Sequence, residues 1–178
     1  MSASLEELLA QADRAFRQRR LEEAYRLYQE AVAQAPELAV ARSRLGAVLA
    51  MMNRLDEAEA MLREALRLDP NLAAAHSNLG NVAYTRGDYQ TALECYRKAV
   101  ALDPDNPTYH DNLHAAYKKL GQYDKAVAAY KQARRLERRR RGEAVPAAPE
   151  TPGRRAGCGG AAALAAIGLF GLWLALRG

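Results

Sequence analysis

Cysteine is scarce in this sequence. The 178 residues hold two, Cys95 and Cys158, too few for a disulfide framework or a thiolate metal set. That scarcity suits a reducing compartment. Histidine is nearly as thin, with three residues. His110 and His114 have the four-residue spacing of a metal-binding pair, but no third ligand accompanies them. His76 falls 34 residues before His110, which points to a packing role, so no metal is expected. Phosphate-cradling glycine loops, dinucleotide fingerprints and nucleophile motifs are all missing. Neither a cofactor nor catalysis is expected. The start, MSASLEELL, lacks a basic stretch followed by an apolar run. The expectation is no secretory leader and a domain facing the cytoplasm.

Acidic charge runs short toward the C-terminus. The formal net charge is +5. Residues 1–130 carry 16 basic and 18 acidic side chains, whereas residues 131–155 carry 9 basic and 3 acidic ones. The positive excess is therefore local. It suits an anionic partner near the C-terminus rather than a basic face over the whole chain.

What the chain has in abundance is periodicity. Ala24, Ala58, Ala92 and Ala126 recur every 34 residues. Tyr28, Leu62, Tyr96 and Tyr130 follow four residues later, and Ala31, Ala65, Ala99 and Ala133 three after that. Pro36, Pro70 and Pro104 close the first three units, and Arg138 breaks the series in the fourth. The units are 5–38, 39–72, 73–106 and 107–140. Each carries apolar residues at helical spacing on both sides of a short polar break, Arg86-Gly87-Asp88 in the third unit. Glycine there ends one helix in a left-handed conformation, and Asp-Pro stops the next. Each unit is thus a helical hairpin that cannot bury both faces alone, and stacking four of them closes a continuous core. Gly46 and Gly80 are expected to face the alanine series Ala24, Ala58, Ala92 and Ala126 and so bring helix axes close. The Tyr/Leu series is expected to fill the space between hairpins. Ser4 with Glu7 forms a capping signal for the first helix. In unit four, His114 takes the small position, and the loss of proline lets the last helix run to about Arg141.

This pattern resembles the tetratricopeptide repeat over about three quarters of the chain. The resemblance implies an all-α, right-handed α-solenoid of four helix-turn-helix repeats whose first helices line a concave face. It further implies that a partner protein or peptide is held there. By that resemblance the groove positions are Ser77, Asn78, Asn81, Tyr84, Asn112 and Lys119, with Ser43 and Lys118 nearby. Asparagine can donate to and accept from a peptide backbone at once. Members that grip a C-terminal carboxylate use Lys and Asn at set positions. Asn81 and Asn112 match two of the asparagines, but Ser77 stands where a lysine is needed, so such a clamp is not expected.

Beyond the repeats the composition changes. Residues 134–141 include Arg134, Arg135, Arg138, Arg139, Arg140 and Arg141. A basic and Pro-rich linker, 141–155, follows. Residues 156–176 then run 21 long without a charge, about 32 Å as a helix and close to the ~30 Å of a bilayer core. The expectation is a C-terminal apolar helix acting as a single-pass membrane anchor. The flanking arginines would keep the repeats cytoplasmic and contact anionic lipid. The tail is glycine- and alanine-rich, and the competing readings are a helix packed on the repeats, a disordered tail, or a C-terminal sorting signal of the kind found on exported bacterial proteins.

The whole reads as a membrane-tethered scaffold or adaptor, not an enzyme. The alternative is a soluble repeat module whose arginine-rich segment contacts nucleic acid or anionic lipid. A third reading has the repeats self-associate as a homo-oligomer.

Overall fold

Hairpins at a 34-residue period appear in the computed structural model of the protein, which describes residues 4–143. These residues form eight α-helices and no strand. They are α1 (Leu5–Arg17), α2 (Leu21–Gln34), α3 (Ala39–Met51), α4 (Leu55–Leu68), α5 (Ala73–Thr85), α6 (Tyr89–Leu102), α7 (Pro107–Lys119) and α8 (Tyr123–Arg140). The linker beyond residue 143 and the apolar segment 156–176 lie outside the described residues. Among the described residues no helix is long and apolar enough to cross a membrane.

Local chemistry sets the helix ends. Ser4 and Glu7 form a reciprocal capping box at α1. Asp88 accepts from the Thr91 amide at the start of α6, and Asn106 accepts from Thr108 ahead of Pro107. Inside every hairpin the first helix ends in the same way. The amides of Arg20, Arg54, Asp88 and Gln122 donate back to the carbonyls of Ala15, Leu49, Ala83 and Tyr117 at 2.9–3.0 Å. That bond is the signature of a Schellman end, which needs a left-handed residue just before the donor. Gly87 and Gly121 supply it with φ of 85° and 71°. In the first two hairpins Arg19 and Asn53 take the same place, with φ of 63° and 62°. Two turns therefore form without the glycine that the physics favours.

The alanines are the centre of each hairpin. Ala24, Ala58 and Ala92 are fully buried, and Ala126 is 3% exposed. The buried residues gather in three clusters: one joins the first two hairpins through Leu45, Val48 and Leu62 and reaches α5 at Ala75 and Val82, a second runs from α5 to α8, and a small third holds Leu8, Ala31 and Ala41. The glycines behave differently from the sequence expectation. A Cβ on Gly80 would lie 2.4 Å from the Tyr96 ring, and one on Gly46 would lie 2.7 Å from Leu62. The Ala58 carbonyl is the next neighbour of Gly46, at 3.2 Å, so the glycine does approach the alanine series, but Leu62 stands closer. So Leu62 and Tyr96 lie across the glycines of their own hairpins and fill the room that a Cβ would take.

Candidate binding groove

The first helices of the hairpins share one face, where α3 packs on α5 and α5 on α7. Between α1, α3 and α5 lies a cavity of about 420 Å³ whose lining includes Phe16, Arg17, Val40, Arg44, Ala47 and Asn78. A second, of about 300 Å³, continues it past Met51, Asn81 and Thr85 and shares Phe16, Ala47 and Asn78. Together they make one groove. Val40, Arg44, Ala47 and Met51 are spaced four, three and four apart, a single stripe of α3. Val40 is 37% and Met51 38% exposed, whereas Leu45, Val48 and Leu49 on the other side of the helix are buried. An apolar stripe left open in this way is a binding feature more than a packing one.

Polar groups border the stripe in fixed positions. Arg44 donates to Asp13 at 2.5 Å, and the Tyr28 hydroxyl donates to the same carboxylate. A chain of three side chains thus ties α2, α1 and α3. Burial first, and then the Asp13 carboxylate, push the Tyr28 phenol well above its ordinary value. Two repeats later the Tyr96 hydroxyl donates to Asn81 Oδ1 at 2.9 Å, and burial again raises the phenol. Asn81 thereby keeps its amide N–H groups for a ligand. A second ladder joins adjacent repeats. Asn112 Nδ2 donates to Ser77 Oγ at 3.0 Å, and Asn78 Nδ2 stands 3.4 Å from the Ser43 carbonyl.

The six groove residues named from the repeat pattern separate here. Asn78 and Asn81 line the cavities. Ser77 is buried, 4% exposed, and receives Asn112, so a ligand does not reach it. Tyr84 packs edge-on against Tyr89 at 5.1 Å, and the Lys119 ammonium lies 5.5 Å from the same ring. Tyr84, Asn112 and Lys119 line neither cavity. Sequence reasoning missed Phe16, Val40, Arg44 and Met51.

The arginines also separate. Arg134 donates to Asp111 at 2.6 and 2.7 Å and to Glu137 at 2.7 Å, and it lies 5.2 Å from the Tyr130 ring. Its guanidinium is thus paired within the fold. Arg135, Arg138, Arg139, Arg140 and Arg141 are exposed.

The histidines have structural partners. Arg42, His76 and His110 occupy the same repeat position, and each reaches the carbonyl of the proline six residues earlier, at 2.8, 3.0 and 2.8 Å. His114 Nδ1 meets the Ala126 carbonyl at 3.0 Å. Among the described residues no group of three metal-binding side chains assembles.

Profiles of the tetratricopeptide repeat match residues 15–81 and 110–144, and a further TPR-repeat profile matches 80–121. No curated protein matches the chain. Among solved structures, two of the protein MamA superpose with TM-scores of 0.63 and 0.62, each at 24% identity. The first covers 78% of this chain and 81% of MamA; the second covers 82% and 80%. An O-GlcNAc transferase mutant from Thermobaculum terrenum superposes with a TM-score of 0.61 at 28% identity. That match covers 66% of this chain and 23% of the transferase. These likenesses are of fold.

Proposed function

The chain belongs to the tetratricopeptide-repeat family through residues 15–144, and we propose that it is a membrane-tethered scaffold. A segment of a partner protein lies along α1, α3 and α5, and the C-terminus fixes the complex to a membrane. The observation that carries the first half is the open stripe of Val40, Ala47 and Met51 beside Phe16, bordered by Arg17, Asn78 and Asn81. An apolar segment with exposed peptide groups or an acidic flank suits that lining. The tether rests on the 21 uncharged residues of 156–176 and the basic residues before them. With Arg135 and Arg138–Arg141 exposed, a second reading stays open, a module that contacts nucleic acid or anionic lipid through this cluster.

Fractionation of the full chain and of 1–155 tests the tether. The full chain should resist high salt and leave the membrane only with detergent, while 1–155 should be soluble. Release of the full chain by salt alone contradicts the tether and favours the arginine reading. Val40→Glu and Met51→Glu test the groove. Both should lower partner capture at least tenfold without loss of helicity, and unchanged capture contradicts it.

A further inference from the structure

The last helix leaves a bulky stripe uncovered. Tyr123, Val127 and Tyr130 lie four and three residues apart on one face of α8 and are 67%, 51% and 47% exposed. Their equivalents in α6 include Leu93 at 3% and Tyr96 at 2%, and those in α4 and α2 include Leu62 at 0% and Tyr28 at 1%. For Val127 the difference is positional. The second helix of each earlier hairpin packs on the first helix of the next: α2 on α3, α4 on α5, α6 on α7. After α8 no such helix follows among the described residues.

The other end of the array is closed. The outward side of α1 carries Glu6, Glu7, Gln11 and Arg14, all exposed. Stacking of copies end to end would press the α8 stripe against these charges and leave them unsolvated. A stripe that pairs with its own copy avoids this, because a two-fold interface joins identical patches.

We infer that α8 is a homodimer interface in which the Tyr123–Val127–Tyr130 stripes of two copies pack antiparallel across a two-fold axis near Val127. Charge sets the direction. Asp124 and Lys131 are exposed on the flank of the stripe, three residues before and four after Val127. Antiparallel packing places Asp124 of each copy beside Lys131 of the other, twice over. It also places the two Arg138–Arg141 clusters at opposite ends, about 36 Å apart at ~1.5 Å per residue. That separation exceeds the ~8 Å screening length several times over. Parallel packing would set the clusters side by side. With the axis near Val127 the two helices overlap only over residues 123–131, roughly 13 Å at ~1.5 Å per residue, which falls short of the ~1,600 Å² of a standard stable interface, so the dissociation constant should be on the order of 10 μM. The inference does not depend on the groove. Under the tether reading the C-terminal segment sits in lipid and leaves this face to a second copy.

The test is sedimentation equilibrium of the full chain in density-matched detergent across roughly 1–100 μM. The mass should rise from one chain to two, and Val127→Glu should hold it at one with unchanged helicity. A single chain throughout, or a dimer indifferent to Val127→Glu, overturns the proposal. Oxidative cross-linking gives the second arm. With Cys95→Ser and Cys158→Ser in place, Val127→Cys should link two copies, and Leu102→Cys, 40% exposed on α6, should not. If instead Val127→Cys, with Cys158 retained, links to Cys158 within one chain, the tail covers the stripe and the dimer is refuted.

Discussion

The imidazole of His114 lies 5.5 Å from the ring of Tyr130 and takes the place held by Ala12, Gly46 and Gly80 in the other hairpins. In those hairpins Tyr28, Leu62 and Tyr96 are at most 2% exposed, and Leu62 and Tyr96 lie across their glycines. Tyr130 is 47% exposed. It lacks space, and it also lacks an acceptor. Asp13 and Asn81 receive the hydroxyls of Tyr28 and Tyr96, but Ala115 stands at that position in the last unit. A tyrosine is buried here where both conditions hold; in the second hairpin Leu62 lies across Gly46 and, having no hydroxyl, needs no acceptor, and Ala47 stands at that position.

Restoring both conditions should turn Tyr130 inward. His114→Gly with Ala115→Asn is expected to stabilise the fold by about 1–2 kcal/mol, since tyrosine burial exceeds the ~0.5–1 kcal/mol cost of a helical glycine. Urea unfolding reads the gain, and nitration of Tyr130 reads its exposure. Either single change should gain less than the pair.

The buried phenols predict an alkaline limit. Burial raises Tyr28, Tyr96 and Tyr109 above their ordinary values, so the fold favours the protonated form. Their contribution is complete below the ordinary phenol value of about 10 and declines as pH rises from there toward the raised values. Phenolate absorbance should show Tyr28 and Tyr96 ionising later than free tyrosine and together with loss of helicity. Tyr28→Phe with Tyr96→Phe should delete that late phase.

The left-handed residues offer a stabilising substitution. Arg19 and Asn53 adopt a conformation that costs a side-chain-bearing residue roughly 1–2 kcal/mol, with asparagine at the low end. Arg19→Gly should gain about 0.5–1 kcal/mol and Asn53→Gly less, because glycine's greater freedom in the unfolded chain offsets part of the relief. Gly87→Ala and Gly121→Ala should lose stability in thermal melts.

The inter-repeat ladder is a stability element, and its loss has a measurable signature. Asn112→Ala strips the buried Ser77 hydroxyl of its donor and should cost about 1–3 kcal/mol. Ser77→Ala added to it should recover part of that loss, which a double-mutant cycle in urea measures.

Much of this was legible in the sequence. The 34-residue period placed the hairpins, Ser4 with Glu7 marked the first cap, and the missing proline at Arg138 foretold the long α8. The turn residues Arg19 and Asn53 share the period with Gly87 and Gly121, so their backbone was readable from spacing even without glycine. What failed was side-chain direction. Gly46 and Gly80 were matched to alanines when Leu62 and Tyr96 needed the room, because spacing along the chain does not say which residue of the facing helix arrives opposite. The groove was sought at polar residues of the last two repeats. The two cavities lie in the first three, because α3 is apolar on nearly every side and only packing reveals that Val40 and Met51 stay uncovered.

Site-specific photo-cross-linking tests the groove most directly. Val40, Met51 and Leu102 are large apolar residues of nearly equal exposure, 37%, 38% and 40%, but only the first two line the groove. With a benzophenone side chain at each position in cells, adducts to a partner protein should form from 40 and 51 and not from 102. Equal yields at all three, or adducts from 102 alone, contradict the groove.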